Sequence, residues 1–136
     1  MNKLILTALI ATTLGACAGS PIATLSKSPE KMRQASNAEL CAAYSFAGSN
    51  SKKIPLIKQI LDERAEDVRY RIVDRKVIKV GLTRCELLMS WGYPTEINRS
   101  SHGPEQWVYR NVGVSWYRAK YVYVEGVWPG RVVAWN

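Results

Sequence analysis

Residues 81–94, GLTRCELLMSWGYP, contain a short helix with both of its ends written into the sequence. Thr83 and Glu86 have the T-x-x-E spacing of a capping box, in which hydroxyl and carboxylate each satisfy a backbone amide that the first turn leaves without a partner. Leu87, Leu88 and Trp91 supply the apolar positions. Gly92 fits a left-handed position just past the end, and Pro94 prevents continuation. The hydrophobic period differs on the two sides of this stretch, so it marks where a helical half meets a β half.

On the C-terminal side the period is two. Residues 97–99, 105–112, 116–125 and 131–135 read as strands, the clearest being AKYVYVE at 119–125, with turns at 101–104 and 126–130. Short connections between successive strands predict an antiparallel meander. On the N-terminal side, Ser36 and Glu39 form a second capping box, S-x-x-E. Leu40, Cys41, Ala43 and Tyr44 then share a face, and Gly48 ends the helix. Another helix begins near Lys53, with Ile57, Ile60, Leu61, Ala65 and Val68 at helical spacing and Lys58, Asp62, Glu63 and Glu66 facing water. Residues 67–76 are ambiguous; their mixed charges exclude a buried strand. The predicted fold class is α+β, with N-terminal helices packed on a small three- to four-stranded antiparallel sheet.

The start of the chain carries an address. Asn2 and Lys3 precede an uncharged apolar run over 4–14, which is too short to span a bilayer and has the length of a secretory signal core. Leu14-Gly15-Ala16-Cys17 then resembles the lipobox of bacterial lipoproteins: aliphatic, small, small, cysteine. That resemblance implies cleavage after residue 16 and acylation of Cys17, giving a stable lipid anchor because several acyl chains share the load. Ala18, where lipoproteins kept at the inner membrane usually carry Asp, implies the outer membrane, with the protein facing the periplasm. Residues 17–36, rich in Ser, Ala, Pro and Lys, read as the acylated cysteine and a flexible tether. Residues 37–79 form a helical segment and 80–136 a helix plus sheet, with 37–136 as one folded domain.

With Cys17 acylated, Cys41 and Cys85 remain. In an oxidising compartment they read as a disulfide, worth roughly 4 kcal/mol for a loop of this size. Two buried thiols acting as small hydrophobes are the alternative. A catalytic thiol is the weakest reading, since the one histidine, His102, lies in a Ser-Ser-His-Gly-Pro loop with nothing to mark it as a base.

From residue 80 onward the chain resembles the SmpA/OmlA (BamE-like) domain of outer-membrane lipoproteins. Gly81-Leu82-Thr83 stands for that family's G-M-T-like turn, and Trp91-Gly92-Tyr93-Pro94 for its W/L-G-x-P. Trp107-Val108-Tyr109 supplies the aromatic strand, and 121–125 with Gly130-Arg131-Val132 the closing hairpin. The resemblance implies two helices on a three- or four-stranded antiparallel sheet, with Gly81, Thr83, Trp91, Gly92 and Pro94 as structural motif residues, to which the capping box adds Glu86. It also implies an accessory role in inserting β-barrel proteins into the outer membrane, with contacts to a partner lipoprotein and to anionic phospholipid. Residues 36–79, with Cys41, are not part of the usual domain. The same fold also occurs in enzyme inhibitors and in lipoproteins of unknown role.

The aromatics concentrate in the β half. They read either as core and rim or as an exposed partner-binding patch that would comprise Trp107, Tyr109, Trp116, Tyr117 and Trp128. The chain carries a formal charge of +8, and without Lys3 it has 18 basic against 11 acidic side chains, or +7. Nine basic and five acidic residues lie between Lys52 and Lys79. Such an excess either keeps a surface solvated or attracts anionic lipid, acidic proteins or wall-linked polymers. Export argues against nucleic acid. The sequence contains no H-E-x-x-H, G-x-S-x-G, glycine-rich phosphate loop or Cys/His metal cluster, so no catalytic residue, metal ligand or cofactor is assigned. A Glu105–Glu125 carboxylate pair would require the strands to bring those side chains together. The expected function is therefore non-catalytic: a lipid-anchored module binding other envelope components. Alternatives are a lipoprotein of another envelope machine (a secretion or conjugation channel, or a phage-encoded factor) and an inhibitor of a periplasmic enzyme.

Overall fold

The computed structural model describes residues 20–48, 51–110 and 118–136. Cys17 and the signal segment lie outside the described residues, as do Trp116 and Tyr117. Among the described residues, six helices precede four strands: α1 (Pro21–Leu25), α2 (Pro29–Met32), α3 (Asn37–Phe46), α4 (Lys53–Glu63), α5 (Tyr70–Val73), α6 (Arg84–Trp91), β1 (Glu96–Asn98), β2 (Glu105–Tyr109), β3 (Lys120–Glu125) and β4 (Arg131–Trp135). Among the described residues, no helix is long and apolar enough to cross a membrane.

The segment expected as a flexible tether is structured from Pro21 onward. Pro21 and Pro29 sit at helix starts, where a missing N–H costs nothing and a fixed φ helps. The Ser28 hydroxyl accepts from the Lys31 amide, Met32 and Thr24 are fully buried, and α1 packs on α3. The Ser- and Pro-rich composition thus encodes caps and first turns, and Met32 supplies the apolar anchor that a tether would lack.

Both capping boxes form. Helix α3 buries Leu40, Cys41, Ala42 and Ala43, and its small side chains let α6 approach closely enough for Cys41 and Cys85 to be disulfide-bonded, with Cα atoms 5.3 Å apart. Helix α4 buries Ile57, Ile60 and Leu61 as its period predicts, but stops at Glu63. Ala65 turns to φ +54°, and the amides of Glu66 and Ala65 close onto the carbonyls of Leu61 and Asp62. This is a Schellman motif with alanine in the place usually taken by glycine, so Ala65 and Val68 lie beyond the helix. The Arg64 guanidinium reaches back to the carbonyls of Ala35 and Arg33, tying this end to the loop after α2.

The sheet is an antiparallel meander in the order β1-β2-β3-β4. Trp107 pairs with Val122 and Tyr109 with Lys120; with Val124 and Val132, Trp107, Tyr109 and Val122 join the helices' core. Val108, of opposite parity, is buried on the other face. The outer edge of β4 is engaged at Val132, whose amide donates to Leu82 and whose carbonyl accepts from Gly81, both at 2.8 Å. Gly81 has φ +89°, a conformation that glycine adopts without strain. Among the described residues of 80–136 there is one helix, α6, which packs against α3 and α5.

Candidate functional site

The motif around α6 is architectural. The fully buried Glu86 carboxylate accepts from the Thr83 amide (2.9 Å), from the Arg69 amide (2.8 Å) and from Arg69 Nε and Nη2 (2.7 and 2.6 Å). Burial by itself would raise its pKa. The Arg69 hydrogen bonds, the Thr83 and Arg69 amides and the guanidinium charge outweigh that and hold it below the ordinary value. Arg84, one residue into the helix, bonds Glu105 Oε2 (2.7 Å) and the Gly126 carbonyl (2.5 Å) and lies over the Trp107 ring. Its amide donates to the Pro129 carbonyl, so the β3–β4 hairpin is clamped to the start of α6. Gly92 has φ +75° and ψ −161°, positive in φ but outside the left-handed helical region expected for it. A Cβ there would stand 3.0 Å from Ser45 Oγ, so the glycine also lets α3 pass close by.

The expected aromatic patch divides. Trp107 and Tyr109 are each only 3% exposed and belong to the core, a correction to their reading as partner-binding residues. The Trp107 indole donates to Glu105. Tyr109 stacks edge-on against Trp91, with ring centroids 5.2 Å apart, and its hydroxyl donates to the Gly92 carbonyl. Burial raises its pKa. Both rings sit at odd positions of β2, and that parity faces the helices. Trp128 is 37% exposed on the hairpin tip, with its indole donating to Glu66 Oε2 at 3.0 Å. Glu105 sits opposite Val124, so Glu125 projects from the other face of the sheet and the two carboxylates do not pair. Among the described residues no cluster of three or more His, Cys, Asp or Glu side chains could hold a metal ion. His102 Nδ1 lies 2.7 Å from the hydroxyl of the adjacent Ser101, both in an exposed turn.

A concave feature lies at the C-terminal end of α3. A cleft of about 560 Å³ opens there between α3, α4, α5 and α6, and its walls include Tyr44, Phe46, Ile54, Lys58, Lys76 and Met89. Phe46 is 55% exposed at its mouth. Lys58 Nζ stands 4.5 Å from the Tyr70 ring centroid and 5.8 Å from that of Tyr44. The Tyr44 hydroxyl donates to Asp74 Oδ1 at 2.9 Å. Burial, reinforced by Asp74, pushes the pKa of Tyr44 up to about 12, so the ring stays a neutral hydrogen-bond donor. Just beyond the cleft, Arg75, Val77, Lys79 and Val80 are exposed on the loop leading to α6. Lys58 reads from helical spacing as a water-facing charge. Its position over two aromatic rings depends on Tyr70, which lies on a different element.

No protein-family model, curated protein or solved structure matches this chain.

Proposed function

We propose that this protein is a lipid-anchored envelope lipoprotein of the outer membrane, with an SmpA/OmlA-like domain that binds other envelope components without transforming them. The observation that carries the binding role is the cleft beside Phe46, an aromatic and cationic concavity walled by four helices and the loops at their ends. Concave sites with an apolar lining and a few placed polar groups are where proteins take up ligands. The family reading rests on the lipobox and the order of motifs, supported by a capped helix leading into a four-stranded antiparallel meander, rather than on overall sequence likeness. The preferred role is an accessory of outer-membrane protein assembly or envelope integrity, through a protein partner, with anionic phospholipid as a second contact.

The test is affinity purification of the tagged full-length protein from gently solubilised envelopes, identifying co-purifying proteins by mass spectrometry, with Cys17→Ala as the non-acylated control. Barrel-assembly subunits enriched with the anchored form support the accessory role. Enrichment of a different envelope machine, or a stoichiometric complex with a periplasmic enzyme, replaces it with one of the other readings. One observation favours the first of these: the cleft is built largely from residues 44–76, the segment outside the domain that the chain resembles. An envelope fraction yielding no specific partner in either form would refute the protein-partner role and point instead to a lipid- or polymer-binding one.

A further inference from the structure

We infer that the cleft beside Phe46 receives an acidic peptide segment of a partner protein, one large apolar side chain of which enters the cleft while flanking carboxylates meet Lys58 and Lys76. The inference rests on the binding-module reading and gives that site a ligand chemistry.

Two features fix the chemistry. The first is shape. About 560 Å³ of cleft, with Ile54, Val73 and Met89 in its walls and Phe46 at its mouth, falls within the size range of sites that enclose compact groups. A flat membrane surface would leave such a concavity unfilled, and a free phosphate would leave its apolar walls without a partner. The second is charge. Lys58 and Lys76 line the cleft, with Arg75 and Lys79 on the same loop as Lys76, and none of the four forms an ion pair among the described residues. Asp74 is the one carboxylate in the wall, where it accepts from the Tyr44 hydroxyl, and the two lysines outnumber it. Lys58 is held over the two tyrosine rings, so less side-chain freedom is lost when it takes up a carboxylate. An apolar floor with a cationic rim is complementary to an apolar anchor between acidic residues.

The test is fluorescence anisotropy with the mature chain, residues 17–136, carrying Cys17→Ala and made without the signal segment. The probes are short labelled peptides with one Leu or Phe between Asp and Glu residues, a version with the anchor replaced by Ala, and a version with the acids replaced by Lys. The acidic apolar peptides are expected to bind, more weakly as salt rises. The Ala-anchor and Lys versions are expected to bind about tenfold more weakly or less. Lys58→Glu with Lys76→Glu should cost about tenfold or more, and Phe46→Ala a similar loss, with urea midpoints unchanged to show that the variants remain folded. Equal binding to the charge-reversed variant, no preference for acidic over basic peptides, or no binding by any peptide overturns the inference. So does uptake of the protein by phosphatidylglycerol-containing vesicles that depends on Lys58 and Lys76, which would assign the surface to the membrane. If charge reversal leaves partner capture from envelopes intact, this inference fails and the binding-module reading stands. If neither wild type nor variant captures a partner, the protein-partner role fails as well.

Discussion

Replacing Glu86 with alanine removes an acceptor on which two chain segments converge. The side chain takes hydrogen bonds from the Thr83 amide, the Arg69 amide and two Arg69 guanidinium nitrogens, all between 2.6 and 2.9 Å. Breaking a buried ion pair from one side costs about 3–5 kcal/mol, and losing a helix cap costs about 1 kcal/mol. Arg69 is 41% exposed and can rehydrate, which moves the total to about 3–4 kcal/mol, a large part of the roughly 5–15 kcal/mol that holds a domain of this size folded. The assay is equilibrium urea unfolding at neutral pH with the disulfide intact. A loss below about 1 kcal/mol would refute the assignment of Glu86 as the hub between residue 69 and α6. The pH dependence gives a second check. The folded pKa of Glu86 lies below the ordinary value of 4.5, so as pH falls the unfolded chain takes up the proton first. The contribution of Glu86 is therefore complete well above pH 4.5 and is lost as pH falls below it through the folded value. Wild type should lose stability over that window, and Glu86→Ala should lack this component.

Three further outcomes follow from the packing. Cys41→Ser with Cys85→Ser opens a cross-link between residues 44 positions apart; urea unfolding should show a loss of about 4 kcal/mol, and wild type with reductant should fall similarly. Gly130→Ala places a Cβ 2.5 Å from Arg84 Nε and 2.8 Å from the Glu125 carbonyl, at φ +54°. It should cost about 1–3 kcal/mol by thermal unfolding, and an unchanged midpoint would mean that the hairpin is not clamped to α6. Trp107→Ala should cost about 3–5 kcal/mol as a core deletion, whereas Trp128→Ala should cost about 1 kcal/mol; a reversed order would contradict their placement.

What the sequence disclosed was local. Ser36 with Glu39 and Thr83 with Glu86 announce their helices within four residues, because both partners of each bond lie inside one turn. The strand period was equally readable, but it says that Trp107 and Tyr109 share a face without saying which face the helices cover. Composition misled over residues 20–36, since Ser and Pro serve a helix start as well as a linker. Only the burial of Met32 and Thr24 separates the two. The cleft was not legible at all: Phe46, Ile54, Val73 and Met89 come from four helices, and no short-range pattern brings them together. The disulfide was readable as a pairing from cysteine number and the expected compartment, whereas its site depended on how α3 meets α6.

The docking of α1 on α3 sets a leash length. With Cys17 acylated as proposed, only Ala18, Gly19 and Ser20 separate the lipid from the first helix at Pro21. Four peptide steps span at most about 14 Å, where a tether continuing to Ser36 would have allowed about 65 Å when fully drawn out. The folded body would then ride against the leaflet, held by its α1 side, with little freedom to sweep the periplasm. A partner would have to come to the membrane surface to meet it, and partners already embedded there would encounter it at high local concentration.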